Sequence, residues 1–360
     1  MKIVSWNVRG LNAPNKQRVI KRRILLVNVD TILLQETKLD SQQSVSFGNG
    51  ISSLFHASLQ LTVASEGAFG GLMIIWKPSQ VQVEGIASSR SWLLARITHL
   101  QSNTSFFVFN NYGPVSPLKK RFLWLSLDGI ISQLVDEQLI IAGDFNAIQK
   151  ALDKRGGIIR LGGSQQDFND WIDRNGLLEI DSGDSFTWTN RRKGFNNIAE
   201  KFDRFLWQGD FSYFPFAFAF AFACVVLPCS GSNHFPICLS LKGNQATSRS
   251  PFRFENMWMK DPNFLALIEN WWKEEVFVGS KLFCFISKLK LVKQKLLQWN
   301  AQHFKNIFGT KKSLEERVAA LNDKIILVGM DQESFDQEKN LLLEYEDILS
   351  KEENLLETKV

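Results

Sequence analysis

The sequence predicts a mixed α/β domain of packed sheets flanked by helices, followed by a helical tail. Two observations carry this prediction. In residues 1–256, short apolar runs alternate with Gly, Ser, Asn and Pro turn signals, and only a few stretches show helical spacing. Many strands with few helices argue for sheets packed face to face and not for a regular βαβ repeat. Beyond residue 256, Lys, Glu, Leu and Gln dominate and Pro almost vanishes. The charge divides at the same place. The chain carries 42 basic and 37 acidic residues, or +5; residues 1–256 hold 27 and 20, or +7, and residues 257–360 hold 15 and 17, or −2. The predicted organisation is a domain over 1–242, a polar linker over 243–256 and a coiled-coil-like tail over 257–360.

Taken in order, Lys2–Trp6 is a short strand and Asn15–Asn28 a basic amphipathic helix. Thr31–Gln35 is a buried strand that ends at Glu36. Gly71–Trp76, Ser91–His99 and Ser105–Asn110 are further strands, Pro117–Leu134 is helical and Leu139–Ala142 is a strand. Gln165–Asn175 is helical, with Gly176 suited to its C-terminal cap. Ser185–Thr189, Lys201–Leu206 and Phe216–Leu227 are strands. Phe216–Phe222 alternates Phe with Ala, which puts each type on one face. A membrane-active or aggregating segment would read this way, but so does a sandwich strand with its large residues turned inward, and the second reading is adopted. In the tail, Leu314, Val318, Leu321, Ile325 and Val328 follow 4-3-4-3 spacing, and Leu342, Tyr345, Leu349 and Leu356 continue a similar seam. An antiparallel helical hairpin or short coiled coil follows, available for self-association or for a partner helix. The lysines between Lys281 and Lys295 could touch a phosphate backbone, but a solvated helix face is the reading adopted.

A 44% hydrophobic, 22% charged chain excludes a disordered polyelectrolyte and a collagen-like fibre. Four Cys cannot build a disulfide scaffold, and Cys224, Cys229 and Cys238 lack the CxxC or His–Cys spacing of a zinc site, so a reducing compartment is expected. No signal peptide precedes Asn7, and the longest apolar run, Phe216–Leu227, is far short of the roughly 20 residues that span a bilayer. The expected location is therefore intracellular, nucleus or cytoplasm, with no membrane partner.

Polar residues end several predicted strands, where a scaffold holds reactive groups in place. Asn7 follows an apolar strand and suits a phosphate oxygen or, read alone, a turn. Glu36 ends a buried strand, where a carboxylate is costly unless paired or metal-bound. It is a candidate Mg²⁺ ligand, since that ion takes hard oxygens, or one half of an ion pair. Asp144 and Asn146, in Gly143-Asp144-Phe145-Asn146, are two apart and face the same side in extended backbone; one accepts a proton from water and the other holds it. Tyr112 ends a strand before a turn, Asp203 lies inside a strand, and His234 sits between a Gly-Ser turn and a strand.

In this order these segments resemble the endonuclease/exonuclease/phosphatase superfamily, and most nearly the endonuclease of plant non-LTR (LINE-type) retrotransposons. Phe186-Thr187-Trp188-Thr189-Asn190, Asp153-Lys154-Arg155-Gly156-Gly157 and Pro251-Phe252-Arg253-Phe254-Glu255-Asn256-Met257-Trp258 look like that group. The resemblance implies a four-layered α/β sandwich, two packed mixed sheets flanked by helices, with part of the segment that leads to a reverse transcriptase. It implies Mg²⁺-dependent nicking of DNA, with Mn²⁺ as the alternative ion. Glu36 would hold the metal, with Asn7 organising it. Asp144 would activate water beside Asn146, Tyr112 would contact the scissile phosphate, and Asp203 would orient His234, which stabilises the pentacoordinate phosphorus. Arg9, Trp188 and Asn190 would bind substrate.

One position departs from the pattern: Asn233 stands in Ser232-Asn233-His234 where the family has Asp. An amide keeps the shape and loses the charge, and by analogy with Asp→Asn in a hydrolase triad activity would fall by roughly 10⁴. The alternative is thus a weakened remnant that binds DNA or metal without efficient cleavage. A further alternative is a phosphatase on a small phosphorylated substrate.

Overall fold

The computed structural model describes residues 1–27, 29–55, 59–67, 70–134, 136–158, 162–183, 185–192, 196–209, 222–227, 231–241, 258–259, 261–274, 276–277, 281–303, 309–310, 313–318, 320–321, 324 and 331–356. Two compact units emerge, Met1–Ala246 with Lys324–Gln332, and Thr247–Asp323 with Glu333–Val360. The expected linker, 243–256, lies outside the described residues, as does the Phe/Ala alternation up to residue 221.

The first unit contains β1 (Lys2–Asn7), α1 (Pro14–Val27), β2 (Thr31–Gln35), α2 (Ser41–Phe55), β3 (Leu59–Val63), β4 (Leu72–Trp76), β5 (Val81–Ser88), β6 (Trp92–His99), β7 (Thr104–Tyr112), α3 (Pro117–Ile131) and β8 (Leu139–Asp144). After a 3-10 turn come β9 (Lys154–Arg155), α4 (Gly163–Arg174), β10 (Leu178–Glu179), β11 (Trp188–Thr189), β12 (Ala199–Glu200), β13 (Asp203–Gln208), β14 (Phe222–Val226) and β15 (Ile237–Leu241). The strands form one sheet in the order β14-β15-β1-β2-β4-β3, a second in the order β10-β13-β8-β7-β6-β5, and a small third, β11-β12-β9.

Period-two alternation sorts each strand between two cores. Ile3, Leu33, Ile74, Val108, Ile140, Phe205 and Leu239 face the layer between the two large sheets. Their neighbours Val4, Leu34, Ile75 and Cys238 face outward and are covered by Ile20 and Ile24 of α1 and Phe47 and Ile51 of α2. On the other side, Phe109, Leu139, Ile141 and Leu206 are covered by Trp124 and Leu127 of α3 and Phe168 and Trp171 of α4. The result is helix, sheet, sheet, helix: the four-layered sandwich the sequence implied.

Most expected elements lie within two residues of their observed ends, and Gly176 takes the left-handed backbone (φ +58°) of a helix-capping glycine. Two expectations are corrected. Ser185–Thr189 narrows to the two-residue β11, and the strand expected from Lys201 begins at Asp203, the Lys201 N–H donating to the Asp153 carbonyl (2.8 Å) and its ammonium pairing with Glu179 (2.9 Å). The helix α2 was not expected: Ser-rich and containing Gly48 and Gly50, it runs unbroken and owes its place to the burial of Phe47 and Ile51.

In the second unit, α5 (Phe264–Glu274) and α6 (Lys281–His303) pack through Phe264, Leu296 and Trp299 with Trp258. Residues 313–318 are helical and lie beside α7 (Gln332–Leu356). Of the expected seam, Leu314, Val318, Leu321 and Tyr345 are buried, together with Leu341, while Ile325, Val328 and the side chains of Leu342, Leu349 and Leu356 lie outside the described residues. The contacts Tyr345–Glu315 and Glu344–Arg317 have the order of helices running in opposite directions. No helix among the described residues is long and apolar enough to cross a membrane.

Candidate active site

Strand register brings the expected residues to one mouth between the two large sheets. β7 and β8 run parallel and β13 antiparallel, so Tyr112, Asp144 and Asp203 stand side by side in one row. Across the gap, β1 ends at Asn7 and β2 leads into Glu36, again in parallel. His234 precedes β15, which pairs with β1. The chain turns sharply as it leaves these strands: Arg9, Glu36, Lys38 and Asn146 all adopt positive φ between 47° and 55°. Such backbone is uncommon for non-glycine residues, and it clusters at functional sites. Gly143 is required by close approach: its φ is +143°, and a Cβ there would lie 1.9 Å from the Asn111 carbonyl oxygen.

Asp144 is fully buried at the centre. Its Oδ2 accepts from Asn7 Nδ2 (2.8 Å) and Asn146 Nδ2 (3.2 Å), and its Oδ1 accepts from the Asn146 backbone N–H (2.8 Å). Opposite it, His234 Nδ1 donates to Asp203 Oδ2 (2.9 Å), which turns Nε2 toward Asp144 Oδ2 at 3.8 Å. Burial pushes the Asp144 carboxyl up and Asp203 adds to the effect; His234 and the donated hydrogen bonds only partly offset this, leaving it at about 6. For His234, burial opposes the charged form, but the carboxylates of Asp203 and Asp144 outweigh it and hold the imidazole above its ordinary value. The Tyr112 phenol is driven above its ordinary value by burial first, then by the carboxylates of Glu36 and Asp144. It stays protonated.

Glu36 forms the ion pair that was one of its two expected fates, with Lys38 at 3.0 Å. Arg9 is exposed beside the mouth, its backbone N–H donating to Asn7 Oδ1 (3.0 Å), and its charge reaches Tyr112. Trp188 forms a wall: β11 bridges to His234, and the two rings lie 6.4 Å apart. The side chain of Asn190 is committed to its own loop, donating to the Asn196 carbonyl and accepting from the N–H groups of Arg192 and Ile198.

Several supporting residues were not anticipated. Thr187 Oγ1 accepts the N–H groups of Phe202 and Asp203, fixing the start of β13. Ser232 Oγ donates to the Asn7 carbonyl and accepts from His234 N–H, and Trp6 Nε1 donates to the His234 carbonyl. Lys120, buried on α3, donates to the Asn146 carbonyl. A signal existed for Thr187 and Ser232, since both lie in the quoted motifs; none existed for Lys120, which looks like one more helix-surface lysine.

Asp144, Asp203 and His234 bring ligand-type atoms within 4.8 Å of one another. Asp203 Oδ1 and Asn233 Oδ1 are both shielded from solvent and accept no hydrogen bond. Asp203 Oδ1 is thus a hard oxygen short of a donor beside a second carboxylate, a setting a divalent cation would satisfy.

A family model described as the Endonuclease/Exonuclease/phosphatase family matches residues 4–217, more than half of the chain. The chain belongs to that family. No curated protein matches it. Among solved structures it is similar to the AP endonuclease LMAP from Leishmania major (16% identity, TM-score 0.53, covering 66% of this chain and 86% of that one). It is also similar to the catalytic domain of Xenopus laevis APE2 (20%, 0.50, 67% and 91%) and to the endonuclease domain of TRAS1, a telomere-specific non-LTR retrotransposon (12%, 0.51, 68% and 99%). At these identities the similarity concerns the fold, and the family resemblance drawn from the sequence agrees with it.

Proposed function

We propose that residues 1–242 form a divalent-metal-dependent phosphodiesterase that nicks DNA, an apurinic/apyrimidinic-type endonuclease derived from a plant LINE-type retrotransposon. The observation that carries this reading is a buried carboxylate, Asp144, fixed by two amides and faced at 3.8 Å by an imidazole that a second carboxylate orients. The AP endonuclease and the retrotransposon endonuclease domain among its structural neighbours support it, as does the +7 charge of residues 1–256, which suits a phosphate backbone.

Phosphodiester hydrolysis needs an aligned water, a proton acceptor and compensation for charge on phosphorus. Asp144 accepts the proton, and the amides of Asn7 and Asn146 leave its carboxylate one orientation. His234, whose charged form Asp203 favours, faces the charge that builds on the phosphoryl oxygens. The protonated Tyr112 phenol donates to the phosphate. Glu36 would hold Mg²⁺, or Mn²⁺, with Asn7 organising the ligands, and the ion would neutralise a non-bridging oxygen.

The test is relaxation of supercoiled plasmid. Nicking is expected in Mg²⁺, lost in EDTA and lost in Glu36→Ala; a folded wild type that never nicks refutes the proposal. The second reading, binding with little cleavage, is favoured by the unpartnered Asn233 Oδ1, where a carboxylate would add charge next to His234. It predicts that Asn233→Asp raises nicking at least tenfold, by analogy with hydrolase triads where the same change spans about 10⁴. Equal rates for the two proteins remove it.

A further inference from the structure

We infer that Gln35 and Asn110 are positioning residues for the reaction proposed above, a neutral staple that sets the spacing of the two large sheets just beneath the site. Each of two key pairs in the site spans the gap between those sheets. Asn7 on β1 holds Asp144 on β8, and His234 before β15 meets Asp203 on β13. A small slip of one sheet on the other would therefore misalign both contacts at once. The hydrocarbon deeper in the gap cannot prevent this, because apolar contact is non-directional. Hydrogen bonds can, because they weaken steeply when bent or stretched.

Between that hydrocarbon and the charged mouth lies a layer of Ser5, Gln35 and Asn110, all wholly buried. Gln35 immediately precedes Glu36, and Asn110 lies two residues deeper than Tyr112 on the same face of β7. Gln35 Nε2 donates across the gap to Asn110 Oδ1 (2.7 Å) and within its own sheet to Ser5 Oγ (2.9 Å). Asn110 Nδ2 reaches back to the carbonyls of Leu34 on β2 and Met73 on β4, both at 3.0 Å. Three hydrogen bonds thus lock β7 against two strands of the opposite sheet. Stability alone does not explain them. A buried neutral pair adds little net stability, and Gln35 Oε1 is buried here with no donor. What the polar pair supplies is direction.

The experiment compares Asn110→Leu with the double variant Gln35→Met/Asn110→Leu. The single variant strands the Gln35 amide and melts at lower temperature; the double variant removes that stranded amide and recovers part of the loss, the Leu34 and Met73 carbonyls and the Ser5 hydroxyl still lacking these donors. Measured on the folded protein, kcat for plasmid nicking is expected to be about 10- to 100-fold down with KM little changed. The downfield proton signal of His234 Nδ1–H, read by NMR without substrate or metal, is expected to shift or broaden. A folded double variant that nicks at the wild-type kcat and keeps its imidazole signal overturns the proposal. If the wild type does not nick, the nuclease reading fails by itself, and an unchanged imidazole signal in the double variant still overturns the staple. Should the double variant not fold, the same two readouts on Gln35→Met, which keeps both Asn110 bonds to backbone, carry the test.

Discussion

Asp203 and Arg204 are neighbours on β13, both almost wholly buried, and alternation sends them to opposite faces of the sheet. They end in two charged clusters of contrasting design. Arg204 lies between Asp153 and Glu179, at 2.6 Å from each, and Lys201 completes the set by pairing with Glu179 at 2.9 Å. Two cations meet Asp153 and Glu179, with the exposed Asp181 a third anion 3.8 Å from Lys201, and Asp153 Oδ2 also accepts the N–H groups of Gln149 and Lys150. On the other face, Asp203 shares its space with Asp144 and a single imidazole, and one of its oxygens has no partner. The first cluster balances its charges, although Arg204 Nε and Glu179 Oε1 make no hydrogen bond; the second is acid-rich, two carboxylates about one imidazole. Structural charge is recognised here by its balance of opposite signs, and functional charge by an excess of one sign.

The largest effect is expected at the acid-rich cluster. Asp144→Asn removes the proton acceptor and should lower kcat by about 10² to 10⁴, the usual worth of a general base, while the protein stays folded by circular dichroism. The pH–rate profile sharpens the assignment. Burial raises the Asp144 carboxyl from 3.8 to about 6, so its basic form is lost as pH falls through about 6. An acid limb there is the expected result. A limb at the ordinary carboxylate position would mean that the buried, partly unsatisfied environment does not set its basicity.

The complementary expectation concerns Arg204. Removing it by Arg204→Met leaves Asp153 buried without its cation and should cost about 3–5 kcal/mol of stability, seen in denaturant unfolding. The folded fraction should nick at the wild-type rate. The contrast collapses if Arg204→Met leaves stability intact while abolishing nicking, because the balanced cluster would then belong to the chemistry.

Much of this was legible in the sequence, for a physical reason. Asn7, Glu36, Asp144 and Asp203 each border an apolar strand, so their polarity stands out against the burial around it. What period and composition could not supply is which strands face each other. Gln35 and Asn110 have the same signature, an amide at an inward position near a strand end, but their meaning depends on β2 and β7 lying across one gap. Nor could Arg204 be told from a surface arginine, because its partners come from residues 153 and 179, joined to it only by the fold. Asn190 shows the reverse. It sits in a telling motif, yet its bonds close its own loop.

The smallest effect tests whether pairing without burial counts for anything. Arg317 and Glu344 of the tail lie 3.1 Å apart, with about half of each side chain in solvent. The geometry matches that of the Arg204 pairs in kind, but water screens both charges and competes for both. A double-mutant cycle on Arg317→Ala and Glu344→Ala should therefore give a coupling of about 1 kcal/mol or less that shrinks in high salt. A coupling of several kcal/mol, unchanged by salt, would show that this pair is as closed as that of Arg204. Burial would then no longer be what separates a structural ion pair in this chain from an incidental one.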